Sequence, residues 1–226
     1  MKLGRGKNLF LATLCVVVLS AAGWAQAPCG VPNQIYCQPQ DGTGNLYASQ
    51  NDTSIGGFGN FATVYDNFTL KQTWDVESFH FVGGYFNPGP PGNITAWTLT
   101  FYNDAAGIPG TPIAIGNFVG NGNETLLSNG LYMYSLFFGS FDMGPGTYWA
   151  SVVPDQAFPP QWGWASGTGG DGASYQCFFG ACAALPVDMA FALDGTAVST
   201  VPEPGTMVML GTGILGLAGA LRRKLL

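Results

Sequence analysis

Short runs in which apolar and polar residues alternate, cut repeatedly by Gly and Pro, constrain this chain more than any other feature. Residues 95–102 read Thr-Ala-Trp-Thr-Leu-Thr-Phe-Tyr, with Trp97, Leu99 and Phe101 on one side and Thr98 and Thr100 on the other. A period of two belongs to a strand with one buried face, and no helix keeps that pattern on one side. Residues 66–70, 76–82, 113–119, 131–138, 147–153 and 187–193 are similar runs rich in Phe, Val, Tyr and Thr, residue types that favour strands. Between them stand expected turns: Gly83-Gly84, the stretch 87–92, Gly107-Ile108-Pro109-Gly110, residues 120–123 and Gly144-Pro145-Gly146. With 34 Gly and 15 Pro in 226 residues, a helical bundle is excluded, and 14% aromatic residues exclude a disordered chain. The expectation is an all-β protein, with a single β-sandwich or jelly-roll-like domain over residues 26–198.

Charge is scarce and unevenly placed. Of seven basic residues, Lys2, Arg5 and Lys7 open the chain and Arg222, Arg223 and Lys224 close it, leaving only Lys71 between. Residues 26–202 hold 12 acidic groups and that one lysine, a formal net charge of 1 − 12 = −11. Nucleic acid is excluded as a partner, because cationic side chains supply most of the affinity for phosphates.

Both termini read as addresses. Behind the basic start comes an apolar run of 11, residues 9–19, and then the small residues Ser20, Ala21, Ala22 and Gly23. This is the layout of a secretory signal peptide, expected over 1–25 with cleavage after Ala25, and it makes the Sec translocon and signal peptidase partners. Cleavage after Ala27 is the alternative, with Pro28 then following the cut bond. A retained anchor is disfavoured because the run is too short to span a bilayer. At the other end, Val201-Pro202-Glu203-Pro204 precedes the uncharged residues 206–221, and Arg222-Arg223-Lys224 follows them. As a helix, those residues reach about 24 Å against roughly 30 Å of hydrocarbon, a short transmembrane helix suited to transient anchoring. The basic stop puts the C-terminus in the cytoplasm and the body across the membrane.

This three-part tail, over 201–226, resembles the PEP-CTERM protein-sorting signal of Gram-negative bacteria that make exopolysaccharide. Pro202-Glu203-Pro204, the Gly-rich helix 206–221 and the basic cluster 222–224 each match a part of that pattern. The resemblance implies recognition and cleavage by an exosortase. Export across the inner membrane would then end in release to the cell surface or the extracellular matrix of a biofilm. It covers about 25 residues and concerns handling; it says nothing of what the body does.

Cys15 lies in the signal peptide, leaving Cys29, Cys37, Cys177 and Cys182 in an exported chain, where two disulfides are expected. Three pairings are open; the shortest loops favour 29–37 with 177–182. Spacings of C-x7-C and C-x4-C fit no common zinc motif.

Chemistry-bearing residues in the body are few. His80 is the only histidine, so no multi-histidine metal site exists, and no Gly-x-Ser-x-Gly elbow accompanies it. It reads as a strand residue facing solvent or a hydrogen-bond partner. Asp75 and Glu77 stand at i, i+2 on an expected strand, a spacing of roughly 7 Å that an inverting glycosidase pair could use. That makes a secreted glycan-active hydrolase the alternative to a non-catalytic protein. Asp41, Asp52 and Asp171 lie in Gly- and Asn-rich loops whose oxygen atoms suit Ca²⁺, though none completes a known motif; no other cofactor is expected. Trp162 and Trp164, at i, i+2 beside Gln161, form the expected ligand site: two rings facing one way for stacking on sugars, with the amide to orient them. Core packing is the competing role for both rings. The reading is a non-catalytic surface or matrix protein, either structural or bound to exopolysaccharide.

Overall fold

The alternation at Trp97, Leu99 and Phe101 holds: all three side chains are buried, and Thr98 faces the other way on an open sheet surface. A computed structural model describes residues 27–87 and 91–198, which contain fifteen strands and no helix. Strands β1 (Gln34–Gln38), β2 (Leu46–Ala48), β3 (Gln50–Asp52), β4 (Gly59–Leu70) and β5 (Trp74–Phe86) come first. They are followed by β6 (Ala96–Asp104), β7 (Pro109–Val119), β8 (Thr125–Leu126), β9 (Leu131–Met143) and β10 (Gly146–Gln156). The last five are β11 (Gln161–Gly167), β12 (Ser174–Phe178), β13 (Ala181–Leu185), β14 (Asp188–Met189) and β15 (Phe191–Ala197).

They form two sheets packed face to face, a β-sandwich. In the first, β5 is central. One of its edges pairs with β9 along its length, and the other pairs with β15 and then with β11, which carries β2 and β14. The second sheet runs β13-β12-β4-β3-β10-β6-β7. There β4 and β10 pair directly from Tyr65 to Leu70 and then diverge, and short β3 enters the gap, antiparallel to β4 and parallel to β10.

Aromatic rings from both sheets interlock between them. Phe79 meets Phe101 at 6.0 Å, Phe81 meets Trp97 at 4.9 Å and Phe191 meets Phe68 at 6.0 Å, mostly edge to face. Burying each such ring removes about 150–250 Å² of apolar surface from water, which is how a body so poor in charge stabilises itself. Disulfides join Cys29 to Cys37 and Cys177 to Cys182, the pairing with the shortest loops. The first ties residues 27–30 to β1, and the second cross-links the β12–β13 hairpin at directly opposed positions.

One expected turn is absent. Gly83-Gly84 lies inside β5, paired with β11 and β9, because Trp162 packs over Gly83 where a Cβ would stand. Gly144-Pro145-Gly146 and residues 120–123 do turn the chain, with positive φ at Gly146, Gly120, Gly122 and Asn123.

Candidate functional site

The outer face of the second sheet carries a polar groove of about 190 Å³. Its floor follows from register: Ser151 of β10 lies opposite Tyr65 of β4 on one side and Thr100 of β6 on the other. Ser151 and Thr100 are almost fully buried because the half-buried rings of Tyr65 and Tyr102 stand over them. The two rings meet edge to face at 5.4 Å, and the Tyr102 hydroxyl lies 3.1 Å from Ser151 Oγ. Burial, and then the neighbouring Tyr102, push the Tyr65 phenol above its ordinary value, so it stays a neutral donor.

Amides and hydroxyls line both ends. Asn51 Nδ2 donates to Asp155 Oδ1 at 2.7 Å, and Asp155 Oδ2 has no partner among the described residues. Thr63 donates to Asn60 Oδ1 at 3.2 Å and Thr98 to Asn117 Oδ1 at 3.1 Å. On the same face beyond Tyr102, the buried Trp149 donates its indole N–H to Asp104 at 2.8 Å. Two aromatic faces among neutral donors and acceptors, with one carboxylate, suit a polyhydroxylated ligand without charge of its own.

Trp162, Trp164 and Gln161, the ligand site expected from sequence, lie elsewhere and are buried. Both indoles are fully enclosed in the core. Trp162 packs against Trp97 at 5.0 Å and donates to the Tyr134 hydroxyl at 3.2 Å, and Trp164 donates to the Ala190 carbonyl at 3.0 Å. The i, i+2 geometry does aim both rings the same way, but β11 lies inside the first sheet and that direction is inward. Gln161 is 5% exposed and accepts from Asn87 Nδ2 at 2.8 Å.

The acidic loop residues are not brought together. Asp52 is held below its usual range, at about 2: burial opposes the charge, but hydrogen bonds from the Ser54 side chain and from the N–H groups of Phe58, Ser54 and Phe158 outweigh it. Asp41 accepts from the Thr43 N–H and hydroxyl, and Asp171 from the Ala173 N–H and from Asn67 Nδ2. Each carboxylate closes a turn, and the described residues hold no cluster of three or more metal-ligating side chains. Asp75 lies opposite Asp142 on β9, while exposed Glu77 sits at a bulge and accepts from Thr196. Neither lines the polar groove.

A family model described as the PEP-CTERM protein-sorting motif matches residues 200–224. The chain carries a PEP-CTERM sorting signal. The matched range takes in Val201-Pro202-Glu203-Pro204 and Arg222-Arg223-Lys224, and it assigns the protein to the exosortase pathway as an exported surface protein. No curated protein and no solved structure matches the chain. The expected cleavage after Ala25, the sorting motif and the expected helix 206–221 all lie outside the described residues, among which no helix is long and apolar enough to cross a membrane.

The body of this PEP-CTERM protein has a second distinctive surface at one end. Phe58, Phe61, Phe158, Phe178 and Phe179 cluster with ring centroids 5.0–6.1 Å apart, and Phe58 and Phe179 are more than half exposed. The Cys177–Cys182 disulfide closes the hairpin that carries Phe178 and Phe179. Asp52 shapes the facing loop through its bond to the Phe58 N–H.

Sequence reasoning passed over Tyr65 and Tyr102 because each sits singly in its strand. Only the pairing of β4 and β6 with β10 sets them side by side.

Proposed function

We propose that the body is a binding module for neutral polysaccharide, displayed at the cell surface or in the extracellular matrix by PEP-CTERM sorting. A glycan chain lies along the outer face of the second sheet, with sugar rings against Tyr65 and Tyr102. Hydroxyl groups of the sugar hydrogen-bond to Asn51, Thr98 and Asp155. The carrying observation is the pair of half-exposed tyrosine rings above a floor of buried hydroxyls, with no cationic side chain in the groove. An open groove smaller than the roughly 300–1,000 Å³ of enclosed ligand pockets fits a polymer crossing a face better than a small molecule swallowed whole. The net charge of the body turns acidic polymers away.

Gel retention of the purified protein on neutral glucans and mannans, with alginate and hyaluronate as acidic comparisons, tests the reading. Neutral polymers are expected to slow the protein, and Tyr102→Ala to weaken binding about tenfold, the value of roughly 1–1.5 kcal/mol for one aromatic stack. Equal retention of Tyr102→Ala and wild type would sink the proposal, as would no retention on any neutral polymer.

A further inference from the structure

Four side chains outside the polar groove meet on the outer face of the first sheet. In the β5–β9 ladder His80 lies opposite Ser135, and in the β5–β15 ladder Ser78 lies opposite Asp194. Register thus gathers a carboxylate, an imidazole and two hydroxyls on three adjacent strands. Ser135 Oγ lies 2.8 Å from His80 Nδ1, and Ser78 Oγ lies 2.7 Å from His80 Nε2. The Ser78 hydroxyl donates to Asp194, whose second oxygen is 3.6 Å from His80 Nε2.

Proton accounting gives this chain a direction. A carboxylate only accepts, so Ser78 directs its single proton at Asp194, and its oxygen is then free to accept from His80 Nε2–H. A neutral imidazole protonated at Nε2 has its lone pair at Nδ1, where the donor is the Ser135 hydroxyl. Burial holds the His80 pKa below its ordinary value, against the pull of Asp194, so the ring is a neutral base at pH 7. If Nδ1 takes a proton, Asp194 and Ser78 stabilise the resulting cation from the far side of the ring.

The geometry points to Ser135 as a nucleophile toward O-acyl esters of small carboxylic acids, with His80 as its base and Ser78 and Asp194 as positioning residues. Ser135 lines a groove of about 370 Å³ with Phe118, Phe137 and the loop 120–123. Phe137, largely exposed, sets its ring edge to face with His80 at 5.7 Å and gives an acyl chain an apolar wall. The loop residues Asn121, Gly122 and Asn123 line the same groove, and their N–H groups donate to no backbone acceptor among the described residues, so the developing oxyanion is assigned to them. The loop is fastened to the nucleophile's own residue, with the Ser135 N–H donating to Gly122 O at 2.7 Å and Asn123 Nδ2 donating to Ser135 O at 3.2 Å.

In the first step Ser135 Oγ bonds to the acyl carbon while its proton passes to His80 Nδ1. The ester C–O bond breaks and the alcohol leaves with that proton. Water, deprotonated by the same nitrogen, then cleaves the acyl-serine, releasing the carboxylic acid and restoring the Ser135 hydroxyl.

The test uses the full chain with p-nitrophenyl acetate as substrate and a fluorophosphonate as covalent probe. The expected result is hydrolysis above the rate in buffer, with one phosphonyl group per chain mapped by peptide mass to Ser135. Ser135→Ala removes only a partly exposed hydroxyl, so the variant folds, and it is expected to lose the label entirely. His80→Gln is expected to lower the rate by roughly 10²–10⁴, the contribution of a general base. Ser78→Ala is expected to lower kcat while leaving KM unchanged, which a merely structural role would not do. A folded protein that takes no label overturns the proposal, and so does a label or a rate that survives Ser135→Ala.

Discussion

Replacing Gly83 by Ala tests whether the core is packed as described. A Cβ at Gly83 would stand 2.1 Å from Trp162 Cζ2 and 2.7 Å from the Gly163 carbonyl oxygen. Carbon atoms in contact prefer about 3.5–4.0 Å, so the indole would have to retreat by roughly 1.5 Å. It has nowhere to go: Trp162 is fully buried, with Trp97, Tyr134 and Phe81 at 5.0, 5.8 and 6.0 Å. Overpacking of this kind costs about 1–3 kcal/mol, and displacing the Trp162 N–H from the Tyr134 hydroxyl costs about 1 kcal/mol more. The reduced entropy of the unfolded chain returns about 0.4–1 kcal/mol. The net loss is about 2–3 kcal/mol, which lowers Tm by roughly 5–10 °C in a domain of this size. Denaturant unfolding followed by tryptophan fluorescence measures it. Trp162→Phe removes the ring that carries Cζ2, so Gly83→Ala combined with Trp162→Phe should be less destabilised than the two single losses added together. Additivity within about 0.5 kcal/mol, or an unchanged Tm for Gly83→Ala, would refute this packing.

Two further outcomes follow from charge and from the tail. Asp66 is fully buried, and burial raises its carboxyl well above the ordinary value in spite of bonds from the Met189 and Asn67 N–H groups. A folded pKa raised above the unfolded one gives stability that is fully present below about pH 3.8 and is lost as pH rises toward the folded value. Wild-type stability relative to Asp66→Asn should therefore fall by up to about 1.4 kcal/mol per pH unit above pH 4, and a difference independent of pH would contradict the burial. Intact mass of protein from the medium of cells that have an exosortase should lack the tail from about residue 202. Deleting the exosortase should leave residues 206–226 attached in the membrane fraction, and an unchanged mass would separate this chain from the pathway.

The extent of the fold legible in the sequence varies by segment, and the reason is local. Strand β6 shows because its inner face is apolar and its outer face polar, so Trp97, Leu99 and Phe101 alternate with threonines. Strand β11, Gln-Trp-Gly-Trp-Ala-Ser-Gly, is buried at every position and has no alternation to detect. Its two tryptophans suggest an exposed pair only as long as the strand is imagined alone. Gly83-Gly84 reads as a turn because glycine usually breaks a strand, and here it marks the place where an indole crosses the backbone.

By itself the sequence determined everything that depends on neighbours along the chain. The strand period sets the all-β class, the spacing of four thiols favours the disulfides formed, and the order Pro-Glu-Pro, apolar stretch, basic stop constitutes a sorting signal read as a linear peptide. Tertiary structure alone decided which side of each strand meets water and which distant residues become neighbours. Tyr65 and Tyr102 lie 37 positions apart, and His80, Ser135 and Asp194 span 114, yet each set is joined by ladders one or two strands wide. Register decides these meetings because a slip of one residue turns every side chain to the opposite face, and the buried aromatics on the inner face permit only one register.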